Sequence, residues 1–79
     1  MDEETETPAA QMEKYVRIQE KGDVNVRQKP NTESKRLGRA KAGEDYKWLS
    51  TAFNGWYEIQ LDEDTTGYVP HKVTTLIEK

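Results

Sequence analysis

The sequence predicts a small all-β barrel of about five to seven short strands behind an acidic N-terminal tail. Three observations carry that expectation. From Tyr15 onward, apolar and polar residues alternate over short runs, and turn-forming residues interrupt the runs at close spacing. No segment beyond the tail repeats its apolar residues with helical periodicity. The 79 residues suffice for one small domain and no more.

Residues 1–14 carry five acids against Lys14 alone, with Pro8, Ala9 and Ala10 among them and few large apolar side chains. Such a stretch cannot bury enough surface to offset its ordering entropy, so it is expected to be a flexible, disordered linker ahead of a barrel over 15–79. Tyr15-Val16-Arg17-Ile18 opens the barrel, with Val16 and Ile18 on one face. Lys21-Gly22-Asp23 turns into Val24-Asn25-Val26-Arg27, which alternates cleanly. Gln28 to Lys35 has no apolar residue except Pro30 and reads as a surface loop. Arg36-Leu37-Gly38-Arg39-Ala40 returns to the core, and Ala42-Gly43-Glu44 turns again. Asp45 to Leu49 is a strand with Tyr46 and Trp48 on one face, and Asn54-Gly55 closes the loop that follows. Trp56 to Leu61 is the most strongly patterned strand. Tyr57, Ile59 and Leu61 share one face, and Trp56, Glu58 and Gln60 the other. An acidic turn over 62–66 leads to Gly67-Tyr68-Val69-Pro70, and Val73 to Ile77 ends the barrel.

Composition removes several chemistries. With no cysteine there is no thiol nucleophile and no Cys-based zinc site. His71 is the only histidine and reads as a surface residue. Ser34 and Ser50 have no evident base partner, so no catalytic residues and no enzymatic activity are expected. Asp62 to Gly67 imitates the start of a calcium loop, but the closing acid position holds Val73, so neither a metal site nor any cofactor is expected. No apolar run approaches the roughly 20 residues of a membrane span. The acidic N-terminus lacks a secretory signal pattern; we read the chain as a piece of a longer exported protein, extracellular or wall-associated. Beyond the tail, eleven basic residues nearly balance ten acidic ones, which disfavours avid nucleic-acid or membrane binding.

Val24-Asn25-Val26-Arg27, then Pro30, Leu37-Gly38, Gly43, Gly55-Trp56-Tyr57-Glu58-Ile59 and Gly67-Tyr68-Val69 together resemble the bacterial SH3 (SH3b) domain. The likeness covers about residues 15 to 77. It implies an SH3-like barrel of two packed sheets, found beside cell-wall hydrolases and other exported proteins, that binds peptidoglycan peptides or positions a neighbouring catalytic domain. Gly67-Tyr68-Val69-Pro70 is also similar to eukaryotic SH3 domains, whose proline lines a peptide groove. The tyrosines that flank that groove are missing here, since Val73 stands three residues past Pro70, so proline-rich peptides are not the expected ligand. Ala40 stands where the family places a larger apolar residue, and Trp48 is expected to fill that space.

Trp56 is the first candidate for ligand contact, because an exposed indole offers a large rigid surface at small entropic cost. Phe53 and Pro70 are expected as groove walls, and Asn31, Glu33 and Asn54 as polar selection. Tyr46, Trp48, Tyr57 and Tyr68 are expected to pack. Arg27, Lys29, Lys35, Arg36, Arg39 and Lys41 form a basic cluster offset only by Glu33. The expected function is a monomeric, non-catalytic module that recognises cell-wall peptides and targets or positions a neighbouring hydrolase domain. Two alternatives stand beside it. One is a docking domain packed against its own polypeptide or within a phage-type or secretion assembly; the other binds nucleic acid or an anionic polymer through the basic residues over 27–41.

Overall fold

The computed structural model describes residues 13–79, so the tail expected over 1–14 lies, up to residue 12, outside the described residues. Seven strands follow: β1 (Lys14–Ile18), β2 (Val24–Arg27), β3 (Arg36–Ala40), β4 (Asp45–Thr51), β5 (Tyr57–Gln60), β6 (Thr66–Val69) and β7 (Thr74–Glu78), with a 3-10 turn over His71–Val73. Every pairing is antiparallel. The strands form one sheet in the order β3-β2-β6-β5-β4-β1-β7. Hydrogen bonding therefore gives an open order ending at β3 and β7, with no ladder joining those two among the described residues, where the sequence reading expects closure.

The sheet nevertheless curls around a single core. Val16 and Ile18 of β1, Val26 of β2, Ala40 of β3, Ile59 of β5 and Val69 of β6 are fully buried in one cluster. β1 and β3 lie near opposite ends of the strand order and can share a core only if the sheet bends back on itself. The alternation dictates which side chains go in: Val16 and Ile18 are buried while Arg17 between them is exposed. Val24, Tyr46, Trp48, Tyr57, Leu61 and Leu76 pack around the cluster, half-buried. Replacing Ile59, opposite Gly67 at the centre of this core, with alanine is expected to cost about 3 kcal/mol, read as a lowered urea midpoint.

Trp48 packs on the core as expected, but its indole sits at the Lys14 end. The indole Nε1 donates to Thr51 Oγ1 at 3.0 Å, and the Lys14 ammonium lies 5.2 Å from the ring centre. Tyr46 packs on the same cluster, and its hydroxyl accepts from the N–H of Lys41, the residue after Ala40, at 2.8 Å.

Two boundaries differ from the sequence reading for local reasons. β4 runs on to Thr51 because a register irregularity between Trp48 and Ser50 absorbs one residue against β5. Val73 leaves the last strand for the 3-10 turn, whose end is held by the Thr74 hydroxyl shared between the carbonyls of Pro70 (3.3 Å) and His71 (3.2 Å).

An ion network ties β1 to β4 and to the C-terminus. The Arg17 guanidinium forks onto Asp45, Nε to Oδ1 at 2.8 Å and Nη2 to Oδ2 at 3.1 Å. Lys79 Nζ lies 2.9 Å from Asp45 Oδ2. The Arg17 hydrogen bonds outweigh partial burial and, with Lys79, hold the Asp45 carboxyl at about 2, below its ordinary 3.8. A depressed folded value stabilises above the unfolded one, and that stability is lost as pH falls from about 4 towards 2. Because Arg17 and Lys79 are half exposed, solvent screening reduces the effect to about 1 kcal/mol. Thermal denaturation of the wild type is expected to weaken more steeply over that window than that of Asp45→Asn. Parallel curves would remove the network from the stability account.

Candidate functional site

The turn before β5 fixes Trp56. Gly55 has φ +94°, a conformation that a side chain resists. Its N–H donates to the Ala52 carbonyl at 2.9 Å, and the Ala52 N–H donates to the Trp56 carbonyl at 2.8 Å. Asn54 Oδ1 accepts from the Trp56 N–H at 3.3 Å. Trp56 is thus the closing residue of the turn and not the first residue of β5, and its half-buried ring is aimed by a backbone frame independent of the ring itself.

That ring opens onto a cleft of about 240 Å³. Pro70 and Val73, from the 3-10 turn and the residue before it, supply the apolar wall beside Trp56. Asn25 and Arg27 of β2 and Thr32 of the 28–35 loop supply a polar side, and Asp23 and Val24 close the end. A second cleft of about 220 Å³ shares Asp23, Val24 and Val73 and extends past Gln19, Lys21 and Gly22. The two clefts adjoin at those three residues, and together they form a trough from Lys21 to Trp56.

The loop over 28–35 is braced from within. Asn31 Oδ1 accepts from the N–H groups of Glu33 (3.0 Å) and Ser34 (2.8 Å). Arg27 Nη1 donates to the Ser34 carbonyl at 3.0 Å. Asn54 Nδ2 donates to the Pro30 carbonyl at 2.8 Å, tying this loop to the turn that carries Trp56. The two loops are therefore a coupled support for the trough.

Of the six candidate residues, the structure brings Trp56 and Pro70 together in the trough. Asn31 and Glu33 instead line a separate polar depression of about 280 Å³ within the loop. Asn31 spends its Oδ1, and Asn54 both its Nδ2 and Oδ1, on the loops themselves. Phe53 is 98 % exposed at the tip of the turn and does not line the trough. The sequence reading did not single out Asp23, Val24, Asn25 or Val73 as contacts. Val73 was read there as the start of the last strand and as a missing tyrosine, not as a contact; as a valine it lines the cleft. Thr32 belongs to the 28–35 loop that the sequence places beside Trp56, and it does line the cleft; Arg27 appeared only as a member of the basic cluster.

Among the described residues no group of His, Asp or Glu is placed to hold a metal ion, and no helix is long and apolar enough to cross a membrane. His71 stacks edge-on to Tyr57, with ring centres 6.5 Å apart.

No curated protein and no solved structure gives a significant match to this chain. The model of the bacterial SH3 domain, a family of generally non-catalytic binding modules commonly tied to the cell wall, matches residues 22–75, from the turn before β2 into β7. Those residues hold the whole Trp56 cleft and most of the core, and the chain belongs to the bacterial SH3 domain family.

Proposed function

We propose that this domain holds cell-wall peptides in the trough between Lys21 and Trp56, and so targets or positions a neighbouring hydrolase domain of an exported, wall-associated parent. The observation that carries the reading is the convergence of Trp56, Pro70 and Val73 on one open cleft with a polar opposite side. A rigid aromatic anchor in a shallow apolar strip, flanked by hydrogen-bonding groups, suits an extended peptide. The isolated domain acts as a monomer and binds weakly. Useful affinity comes from the neighbouring domain or from repeated copies, through effective concentration.

The test is retention of the purified chain on cell-wall sacculi stripped of teichoic acid. Wild type is expected to be retained, and Trp56→Ala to wash off while keeping a cooperative thermal transition. Equal retention of both proteins would contradict the reading.

Phe53 favours a second reading, a docking module. A large aromatic side chain 98 % exposed on a braced turn suits burial against another domain of the same polypeptide. Under that reading Phe53→Ser abolishes association with the parent's remaining domains and leaves retention on sacculi unchanged.

A further inference from the structure

Arg27, Arg36 and Arg39 stand on one outward face of β2 and β3, although Arg36 and Arg39 are three residues apart, a spacing that puts residues of a regular strand on opposite faces. The ladder explains it. Arg39 pairs with Asn25 and Arg36 with Arg27, with the register slipping between Val26 and Arg27. Asn25 and Arg27 flank buried Val26 and share its opposite face, so their partners share it too. The bulge thus re-aims Arg36 beside Arg39.

This placement has a cost. Like charges directly opposite each other across a ladder destabilise it, and Arg27 and Arg36 are such a pair. Among the described residues, no carboxylate forms an ion pair with any of the three; the ion pairs there belong to Arg17, Lys47 and Lys79. Protection of an edge strand by charge accounts for arginines on β3, which ends the sheet. Arg27 on the interior strand β2 also braces the 28–35 loop through the Ser34 carbonyl, but neither role accounts for a bulge that brings the three together. Arg27 and Asn25 also line the Trp56 cleft, and their ladder partners Arg36 and Arg39 continue that face from the cleft towards the β3 edge.

We propose that this face is an oxyanion subsite of the same groove, and that Arg36 and Arg39 bind carboxylates at the end of a peptide whose apolar part lies against Trp56. Guanidinium groups suit this task because each offers two parallel N–H bonds to a carboxylate. Relief of the Arg27–Arg36 repulsion on binding adds to the attraction. The inference rests on the groove reading above and adds that the ligand is anionic and enters in one direction, its acidic end towards β3.

The experiment compares stripped sacculi with the same sacculi after carbodiimide amidation of their carboxylates. Wild type is expected to bind the amidated material about tenfold more weakly. Arg36→Gln and Arg39→Gln are expected to bind native sacculi several-fold more weakly and amidated sacculi as the wild type does. Both positions are exposed, so neither variant should melt below the wild type, and Arg36→Gln, which removes the repulsion with Arg27, should melt slightly above it. Equal wild-type binding to the two materials, or glutamine variants indistinguishable from wild type on native sacculi, overturns the subsite and leaves the groove standing. Absence of wild-type binding to both materials overturns the groove reading and this inference with it. Salt-sensitive binding to homopolymeric RNA that depends on Arg36 and Arg39 but persists in Trp56→Ala would reassign the face to nucleic acid.

Discussion

A single methyl group added at Gly67 is expected to cost the fold about 3 kcal/mol. Gly67 is buried in β6 between β2 and β5 and lies opposite Ile59. A Cβ there would collide with Cγ1 of Val26 and approach the Arg27 carbonyl oxygen to 2.9 Å. Neither obstacle yields easily. Val26 is fully buried and, being β-branched, has little rotamer freedom. The carbonyl belongs to the β2 backbone, whose described link to β6 is the Arg27–Tyr68 pairing. Pushing β2 away would loosen the seam between the two halves of the sheet. A domain of this size has only about 5 kcal/mol to lose, so Gly67→Ala should show a large fall in melting temperature or fail to fold. A melting temperature within a few degrees of wild type would mean that β2 and β6 are held less tightly than described.

Trp56→Ala is expected to reverse that balance, with a large effect on binding and a small one on folding. The ring is half-buried, outside the core cluster. Its backbone bonds to Ala52 and Asn54 do not involve the indole. Loss of its partial burial costs the fold about 1 kcal/mol. An aromatic anchor in a small groove contributes about 2 kcal/mol to binding, or roughly 30-fold in affinity. A Trp56→Ala protein that melts as a destabilised core variant does would make the ring a lid on the sheet.

Much of the scaffold was legible in the sequence because it depends on local alternation. Val16, Ile18, Val26 and Ile59 went inside on parity alone, and Asn54-Gly55 announced the turn that aims Trp56. The parts that were not legible depend on register and on contacts between distant segments. No local pattern shows that one residue of β3 slips against β2, so the six basic residues over 27–41 read as scattered charge, when three of them in fact share a face. Nothing near Asn31 or Asn54 reveals that the Asn31 Oδ1 and the whole Asn54 amide hold loops together and so are committed before any ligand arrives. Nor does any local pattern show that the Tyr46 hydroxyl reaches the turn after β3, where it accepts from the Lys41 N–H. Phe53 looked like a groove wall because it neighbours Trp56 in sequence, but the tight turn between them sends the two rings to different places.

The central claim, a peptide groove floored by β2 and anchored on Trp56, is tested most directly by titrating isotope-labelled protein with soluble muropeptides and following amide and indole resonances. The account predicts saturable shifts at the Trp56 indole, Thr32, Asn25 and Val73, extending to Arg36 and Arg39. Shifts centred on Phe53 alone, or on the β1–β7 side of the sheet with the Trp56 indole unmoved, would contradict it.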